Sequence, residues 1–295
     1  MKTGDIVNGK YRVEKLLGKG GNGYVYLCTN LQLGNKWAIK HIPAAESGLK
    51  RMSEVEILKK LYHVSLPRIV DVFRDDGGLY IVESNMEGTD LESMLRRQGS
   101  FGIDTVVDWS LELCDILEYL HGFKPRPIIY RDLKPSNIML TRGNRLVLVD
   151  FGISKEYSSQ RRDTCIAGTS SYAAPEQLIR GGLTDGRTDI YNLGATVYRL
   201  LYGKVPGPED NKLSSKKNTA LSGMDRIISR CMESRPEDRY QKIETVRLDL
   251  LSVKNMLAVG RKGRNTLYKL EAAAIVLLSA VTYITALTGM ASLMP

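Results

Sequence analysis

The sequence predicts an α+β protein of two lobes followed by one helix of membrane-spanning length. Three observations carry this reading. Short branched and aromatic runs broken by glycine fill most of the first 84 residues. After Gly88 the apolar residues fall mainly at helical spacing. From Ala272 to Pro295 no residue is charged.

The elements follow in order. Residues 11–17 and 23–29 surround a glycine cluster and form a hairpin, and residues 36–42 add a third strand. Residues 47–62 carry Met52, Val55, Leu58 and Leu61 at helical spacing. Residues 69–73 and 79–82 return to strand character around the turn Asp75-Asp76-Gly77-Gly78. A connector near residues 83–88 leads to helices over 90–97 and 104–121, the second capped by Asp104. Short apolar strands occupy 128–130, 138–140 and 146–149. Further helices cover 189–202, 221–232 and 242–256. A strand-rich lobe of about residues 8–84 and a helical lobe of about 89–256 leave a cleft between them, a common place for a small ligand.

Composition narrows the classes. Of the 295 residues, 43% are hydrophobic and 25% charged, which suits a well-filled core. The formal net charge is +9, but it is spread along the chain without interleaved aromatic residues, which argues against nucleic acid as a partner. Cys28, Cys114, Cys165 and Cys231 stand far apart, with neither metal-ligand spacing nor a tight disulfide framework, as in a reducing compartment. The start Met1-Lys2-Thr3-Gly4-Asp5 leads into no apolar run, so no secretory signal is expected.

A helix over residues 272–294 would reach about 34 Å, enough to cross a hydrocarbon layer of about 30 Å. A basic linker over 257–271, with Arg261, Lys262, Arg264 and Lys269, precedes it. The expectation is a single-pass protein of the cell membrane, with its lobes on the cytoplasmic face and its C-terminus outside. The alternative is a buried C-terminal helix, since Ala, Ser and Thr make the tail only moderately apolar. Thr285 and Gly289 offer a small-residue spacing through which two copies of the span can pair as a homodimer.

The most informative stretch is Tyr130-Arg131-Asp132-Leu133-Lys134-Pro135-Ser136-Asn137, followed by Asp150-Phe151-Gly152. It holds a carboxylate able to accept a hydroxyl proton (Asp132), a cation able to neutralise a moving phosphate (Lys134), and two hard-oxygen ligands for magnesium (Asn137, Asp150). Upstream, Gly18-Lys19-Gly20-Gly21-Asn22-Gly23 lies between two predicted strands, where glycines let backbone N–H groups approach phosphates. A strand and not a helix follows it, which disfavours a dinucleotide-binding turn.

Together these segments resemble the eukaryotic-type (Hanks-type) serine/threonine protein kinase family, in a bacterial-like form, over about residues 8–256. The resemblance implies the bilobal protein kinase fold, ATP with Mg2+ or Mn2+, and protein substrates presenting serine or threonine. It makes Asp132 the catalytic base, with Lys134 and Thr169 beside it, and Asn137 and Asp150 the metal ligands. Leu17, Gly18, Lys19, Gly20, Gly21, Asn22, Gly23 and Val25 would then cover the nucleotide. Trp37-Ala38-Ile39-Lys40 matches the family's third-strand motif, with Ala38 and Met139 enclosing adenine and Lys40 on the α- and β-phosphates. Glu54 would lock Lys40 in place; Glu56 is its rival, and the gap from Lys40 is shorter than usual. An ungapped match puts Glu83 at the back of the adenine pocket, Met86 on the adenine edge and Asp90 at the ribose. A one-residue shift would remove the carboxylate from that position.

The segment Gly168-Thr169-Ser170-Ser171-Tyr172-Ala173-Ala174-Pro175-Glu176 resembles the end of the activation segment. Glu176 would pair with Arg239, and Asp189 would brace the catalytic loop. Thr164, Ser158 and Ser159 are candidate phosphosites, and a phosphate on Thr164 would pair with Arg131. The chain departs from the family at Asn22, often aromatic there, and at Tyr130, more often His. Tyr130, Glu83 and the short gap before Glu54 motivate an alternative reading, a membrane-anchored pseudokinase scaffold. A small-molecule phosphotransferase of related fold is disfavoured by Ala174-Pro175-Glu176.

Overall fold

Alternating apolar side chains along the first lobe build one curled sheet. In the computed structural model, which describes residues 1–20, 23–44, 55, 57–151, 154–156, 171–207 and 219–261, it contains β1 (Ile6–Val7), β2 (Tyr11–Gly20), β3 (Gly23–Asn30), β4 (Lys36–Pro43), β5 (Ile69–Asp75) and β6 (Gly78–Ser84). The strands run antiparallel in the order β1-β2-β3-β4-β6-β5. The glycine-flanked hairpin of β2 and β3 sets Gly18 opposite Val25 and Gly20 opposite Gly23. Gly23 has φ +120°, and a Cβ there would lie 2.2 Å from the carbonyl oxygen of His41, so only glycine lets β3 pack this closely on β4.

Pleating divides β6 between two cores. Tyr80 and Val82 join Val13, Tyr26 and Ile39 on one side of the sheet. Leu79 and Ile81 join Ile42 and Val55 on the other. Glu83 continues the Leu79–Ile81 row. Of the helix expected over 47–62, residues 55, 57 and 58 are helical, and residues 45–54 and 56 lie outside the described part.

The second lobe opens with a strand that the sequence did not announce, β7 (Gly88–Asp90). It pairs with β9 (Ile138–Thr141), which pairs with β10 (Leu146–Leu148). Gly-Thr-Asp has no apolar alternation, so only its partner makes it a strand. A second small ribbon joins β8 (Ile128–Ile129) to β11 (Lys155–Glu156). The helices are α1 (Leu91–Gln98), α2 (Ile103–His121), α3 (Gly186–Tyr202), α4 (Ala220–Cys231) and α5 (243–261). They bury one large cluster that includes Leu113, Leu117, Leu193, Met224 and Leu250.

Helix ends correct the sequence expectations in physical terms. Asp104 is not the cap of α2: Gly102 holds that position without a side-chain bond. Asp104 sits in the first turn, where the helix dipole favours a carboxylate, and pairs with Arg261 at 2.7 Å. Helix α3 begins at Gly186 and not at 189, because Asp185 caps it and accepts from the Arg187 N–H at 2.8 Å. Thr219 caps α4. Helix α5 runs to 261, past the expected end at 256. It lies along α2 through Arg247–Asp115 at 2.7 Å, Lys254–Asp108 at 2.9 Å and Arg261–Asp104 at 2.7 Å. Such exposed pairs contribute at most about 1 kcal/mol each. Among the described residues no helix is long and apolar enough to cross a membrane. The span expected at 272–294 lies outside them.

One ion pair inside this lobe is of a different kind. Arg239 has a side chain 0% exposed, and it meets Glu176 in a fork at 2.8 and 2.9 Å. The remaining guanidinium hydrogens donate to the carbonyls of Glu233, Ser234 and Arg187. Removing one partner leaves a buried charge uncompensated, so Glu176→Ala is expected to cost about 3–5 kcal/mol. Urea unfolding followed by circular dichroism measures this loss; a change below about 1 kcal/mol would contradict it.

Candidate active site

The loop between β8 and β9 is aimed from beneath. Helix α3 places three polar side chains, Asp189, Asn192 and Thr196, on one buried face at i, i+3 and i+7. Asp189 accepts from the backbone N–H of Tyr130 at 2.9 Å and of Arg131 at 2.7 Å, and its Oδ2 meets His121 Nε2 at 2.8 Å. Thr196 donates to the carbonyl of Leu133 at 2.9 Å. Asn192 donates to the carbonyl of Tyr172 and to Gln177 Oε1, and Gln177 in turn donates to the carbonyl of Arg131 at 2.8 Å. Arg131 is thereby held at φ +68°, a left-handed conformation that costs a non-glycine residue free energy unless its surroundings impose it.

That turn presents Asp132 next. Its carboxylate accepts from Lys134 Nζ at 2.8 Å and from Asn137 Nδ2 at 2.8 Å. Burial raises its pKa above the ordinary aspartate value; Lys134 opposes the rise, and the charge of nearby Asp150 adds to it. Asn137 is buried in the short 3-10 turn Pro135–Asn137. Its Nδ2 faces Asp132, an orientation that reserves Oδ1 as a hard acceptor.

Asp150 follows β10 at φ +64°, a second left-handed residue, of a type that tolerates it. Its Oδ1 accepts from Lys40 Nζ of β4 at 2.8 Å, a bond that joins the two lobes. The Lys40 side chain is 7% exposed and Asp150 37%. Tyr130 beneath them is fully buried, meets Phe151 edge-on at 5.1 Å between ring centres, and donates to the carbonyl of Val149. Ser154 caps the arrangement by donating to the carbonyl of Tyr130 at 3.0 Å.

Above this loop lies a cleft of about 700 Å³ between the lobes. It is lined by Leu17, Gly18, Lys19, Gly23, Val25, Ala38, Lys40, Met86, Asp90, Asn137, Met139 and Asp150, all singled out from sequence. Asp132 adjoins it through its bond to Asn137, and Lys134 is bonded in turn to Asp132. Asp90 also caps α1, accepting from the N–H and hydroxyl of Ser93 at 2.7 and 2.6 Å. Gly20 ends β2. Gly21, Asn22, Glu54, Thr169, Thr164, Ser158 and Ser159 lie outside the described residues.

The oxygen pair of Asn137 and Asp150 suits magnesium. That ion is held by one or two protein oxygens and completed by substrate phosphates and water, and not by a dedicated cage. Among the described residues no group of three His, Cys, Asp or Glu side chains forms such a cage. Bound there, the ion would neutralise charge on the phosphates.

Sequence reasoning missed the supports Gln177, Asn192, Thr196, Ser154 and His121. The signal was present for two of them: polar residues spaced i, i+3 and i+7 on an otherwise apolar helix. Replacing Asp189 with alanine leaves two buried N–H donors without their acceptor, each costing about 1–3 kcal/mol. Asp189→Ala is expected to lower the melting temperature, measured by differential scanning fluorimetry, and to do so more than Asp189→Asn.

The sequence has counterparts among known proteins. The protein kinase domain family matches residues 11–274. The chain is 28% identical over 273 residues to a probable serine/threonine-protein kinase of Clostridium acetobutylicum, covering 85% of this chain and 41% of that one. It is 28% identical over 282 residues to serine/threonine-protein kinase PknB of Mycobacterium tuberculosis, covering 86% and 44%. It is 30% identical over 265 residues to serine/threonine-protein kinase Pkn1 of Myxococcus xanthus, covering 81% and 37%. The chain thus spans about two fifths of the length of these relatives. With the two-lobed fold and the Lys40–Asp150 link between its halves, the chain belongs to the protein kinase domain family.

Proposed function

We propose that this chain is a serine/threonine protein kinase that transfers the γ-phosphate of ATP to protein hydroxyls. The observation that carries the reading is the meeting of Lys40, Asp132, Asn137 and Asp150 at one cleft, with Lys40 bonded to Asp150 across the lobes. A substrate hydroxyl beside Asp132 loses its proton to that carboxylate as its oxygen bonds to the γ-phosphorus. The bond from phosphorus to the bridging oxygen breaks, and ADP leaves with that oxygen. Lys40 holds the phosphates in line from above, and Lys134 offsets the negative charge of the moving group. The match to named serine/threonine kinases supports the choice of acceptor.

The same reading extends to regulation and place. Thr164, beside Ser158 and Ser159, is the proposed autophosphorylation site, with Arg131 as its charge partner. The uncharged stretch at 272–294, after Arg261, Lys262, Arg264 and Lys269, is the proposed anchor to the inner membrane face. A signalling role tethered there follows from these two proposals together.

Incubation of the full chain with magnesium and labelled ATP tests the reading. Wild type is expected to label itself, and Asp150→Ala to lose the label; label retained in Asp150→Ala would overturn it. Asp132→Asn is expected to cut turnover by about 10²–10⁴-fold while leaving nucleotide binding intact. The ionised form of Asp132 accepts the proton, so kcat/KM should fall as pH drops through a value above the ordinary 3.8. The sign for stability is opposite. Folding raises this pKa, so between the two values the folded state binds more protons, and the Asp132 charge costs stability at neutral pH. Asp132→Asn should therefore melt no lower than wild type at pH 7, its advantage fading as pH falls.

A further inference from the structure

A groove of about 440 Å³ runs between α4 and α5, apart from the cleft that holds the catalytic residues. Gly223, Ile227 and Val253 give it an apolar floor, and Met256 an exposed apolar edge. Gly223 lets the helices meet there, since a Cβ at that position would stand 2.8 Å from Val253 Cγ2. Arg226 and Arg230, one turn apart on α4 and both exposed, line the same groove. Like charges at this spacing slightly destabilise a helix. Among the described residues neither arginine has a carboxylate partner. Arg230 instead lays its guanidinium 4.3 Å from the centre of the Tyr240 ring. Stacking uses the face of a guanidinium and leaves its N–H edges open to phosphate oxygens. Asp249 is the carboxylate of the lining, and it accepts from the Tyr240 hydroxyl at 2.6 Å. Two arginines against one aspartate leave the lining net positive.

We infer that this groove docks anionic phospholipid of the membrane to which the chain is tethered. Lipid phosphates pair with Arg226 and Arg230, and the first acyl carbons lie against Ile227, Val253 and Met256. The inference rests on the anchor proposed at 272–294. What selects lipid as the occupant is the course of α5. Val259 is exposed one turn beyond Met256, and Arg261, Lys262 and Arg264 follow. At about 3.5 Å per residue the chain from Arg261 to Ala272 spans at most about 40 Å, which keeps the end of α5 near the bilayer surface. An apolar strip flanked by cations suits the boundary between headgroups and acyl chains. An acidic peptide would meet the same arginines but has no tether to concentrate it there.

Photocrosslinking of the full chain tests this. The protein is reconstituted into phosphatidylcholine vesicles carrying a trace of photoreactive phosphatidylglycerol or, as control, photoreactive phosphatidylcholine, and adducts are located by mass spectrometry. Residues 223–230 and 252–259 are expected to carry at least about tenfold more adduct from the anionic lipid. Each arginine beside an anionic surface contributes about a fivefold preference, so Arg226→Gln combined with Arg230→Gln should bring the ratio close to one. A ratio near one in wild type, or a preference that survives the double substitution, would overturn the inference. So would groove residues without adduct in either bilayer, which would leave the groove to a protein partner. Adducts over 272–294 form with either lipid and report the anchor separately. Their absence removes anchor and inference together, whereas span adducts without a groove preference overturn the inference alone. Should the double variant fail to melt cooperatively, Arg226→Gln alone replaces it, because Arg230 carries the ring contact: a ratio lowered about fivefold supports the assignment, and an unchanged ratio refutes it.

Discussion

The candidate active site depends on one carboxylate that is itself buried beneath the loop. Asp189 is fully buried, where an unpaired charge is costly, and it gathers two backbone N–H groups and a histidine nitrogen to compensate. Those bonds fix two successive peptide units, and fixing them imposes the left-handed turn at Arg131. The turn places the Asp132 carboxylate against Asn137. Strain in the loop, burial of Asp189 and the placing of Asp132 against Asn137 are one arrangement seen from three sides. The family's reactive groups sit on a loop, yet the helix beneath decides where they point.

The link between the lobes is as economical. Two elements far apart in sequence meet when Lys40 Nζ reaches Asp150 Oδ1. The strength of this bond follows from burial: Lys40 is nearly excluded from water, while Asp150 keeps one side open to the cleft. A cation and phosphates entering from that open side would find Asp150 already oriented and Lys40 already desolvated, so little reorganisation is needed on binding. The glycine hairpin of β2 and β3 covers the site because Gly23 lets it lie directly on β4.

What was legible in the sequence was what chemistry constrains locally. Asp132, Lys134 and Asn137 lie within six residues, Asp150 follows soon after, and each type is needed for its donor or acceptor set. Five of the six strands of the first lobe were legible because branched and aromatic runs fill them, whereas the two-residue β1 escaped. What escaped was structure made by partners distant in sequence. β7 is a strand only because β9 lies beside it. Asp104 has the composition of a cap, but the chain turns two residues earlier, and its carboxylate serves the first turn and Arg261 instead. The start of α3 was misplaced for the opposite reason, since Asp185 and Thr188 form a readable capping box that was passed over.

Tyr130 shows how a departure from a family pattern should be weighed. The family more often has histidine there, which alone raises the question of lost activity. The structure answers with contacts that the side chain makes to the metal-ligand segment. Its ring meets Phe151 edge-on, and its hydroxyl donates to the carbonyl of Val149, the residue just before Asp150. Both contacts hold the segment that presents the metal-ligating carboxylate. A buried hydroxyl with a carbonyl partner is satisfied, and a buried aromatic ring adds apolar contact. The substitution therefore changes how the floor of the site is braced without removing a group that reacts. Inactivity would have to be argued from Lys40, Asp132, Asn137 or Asp150, and all four are present and brought together.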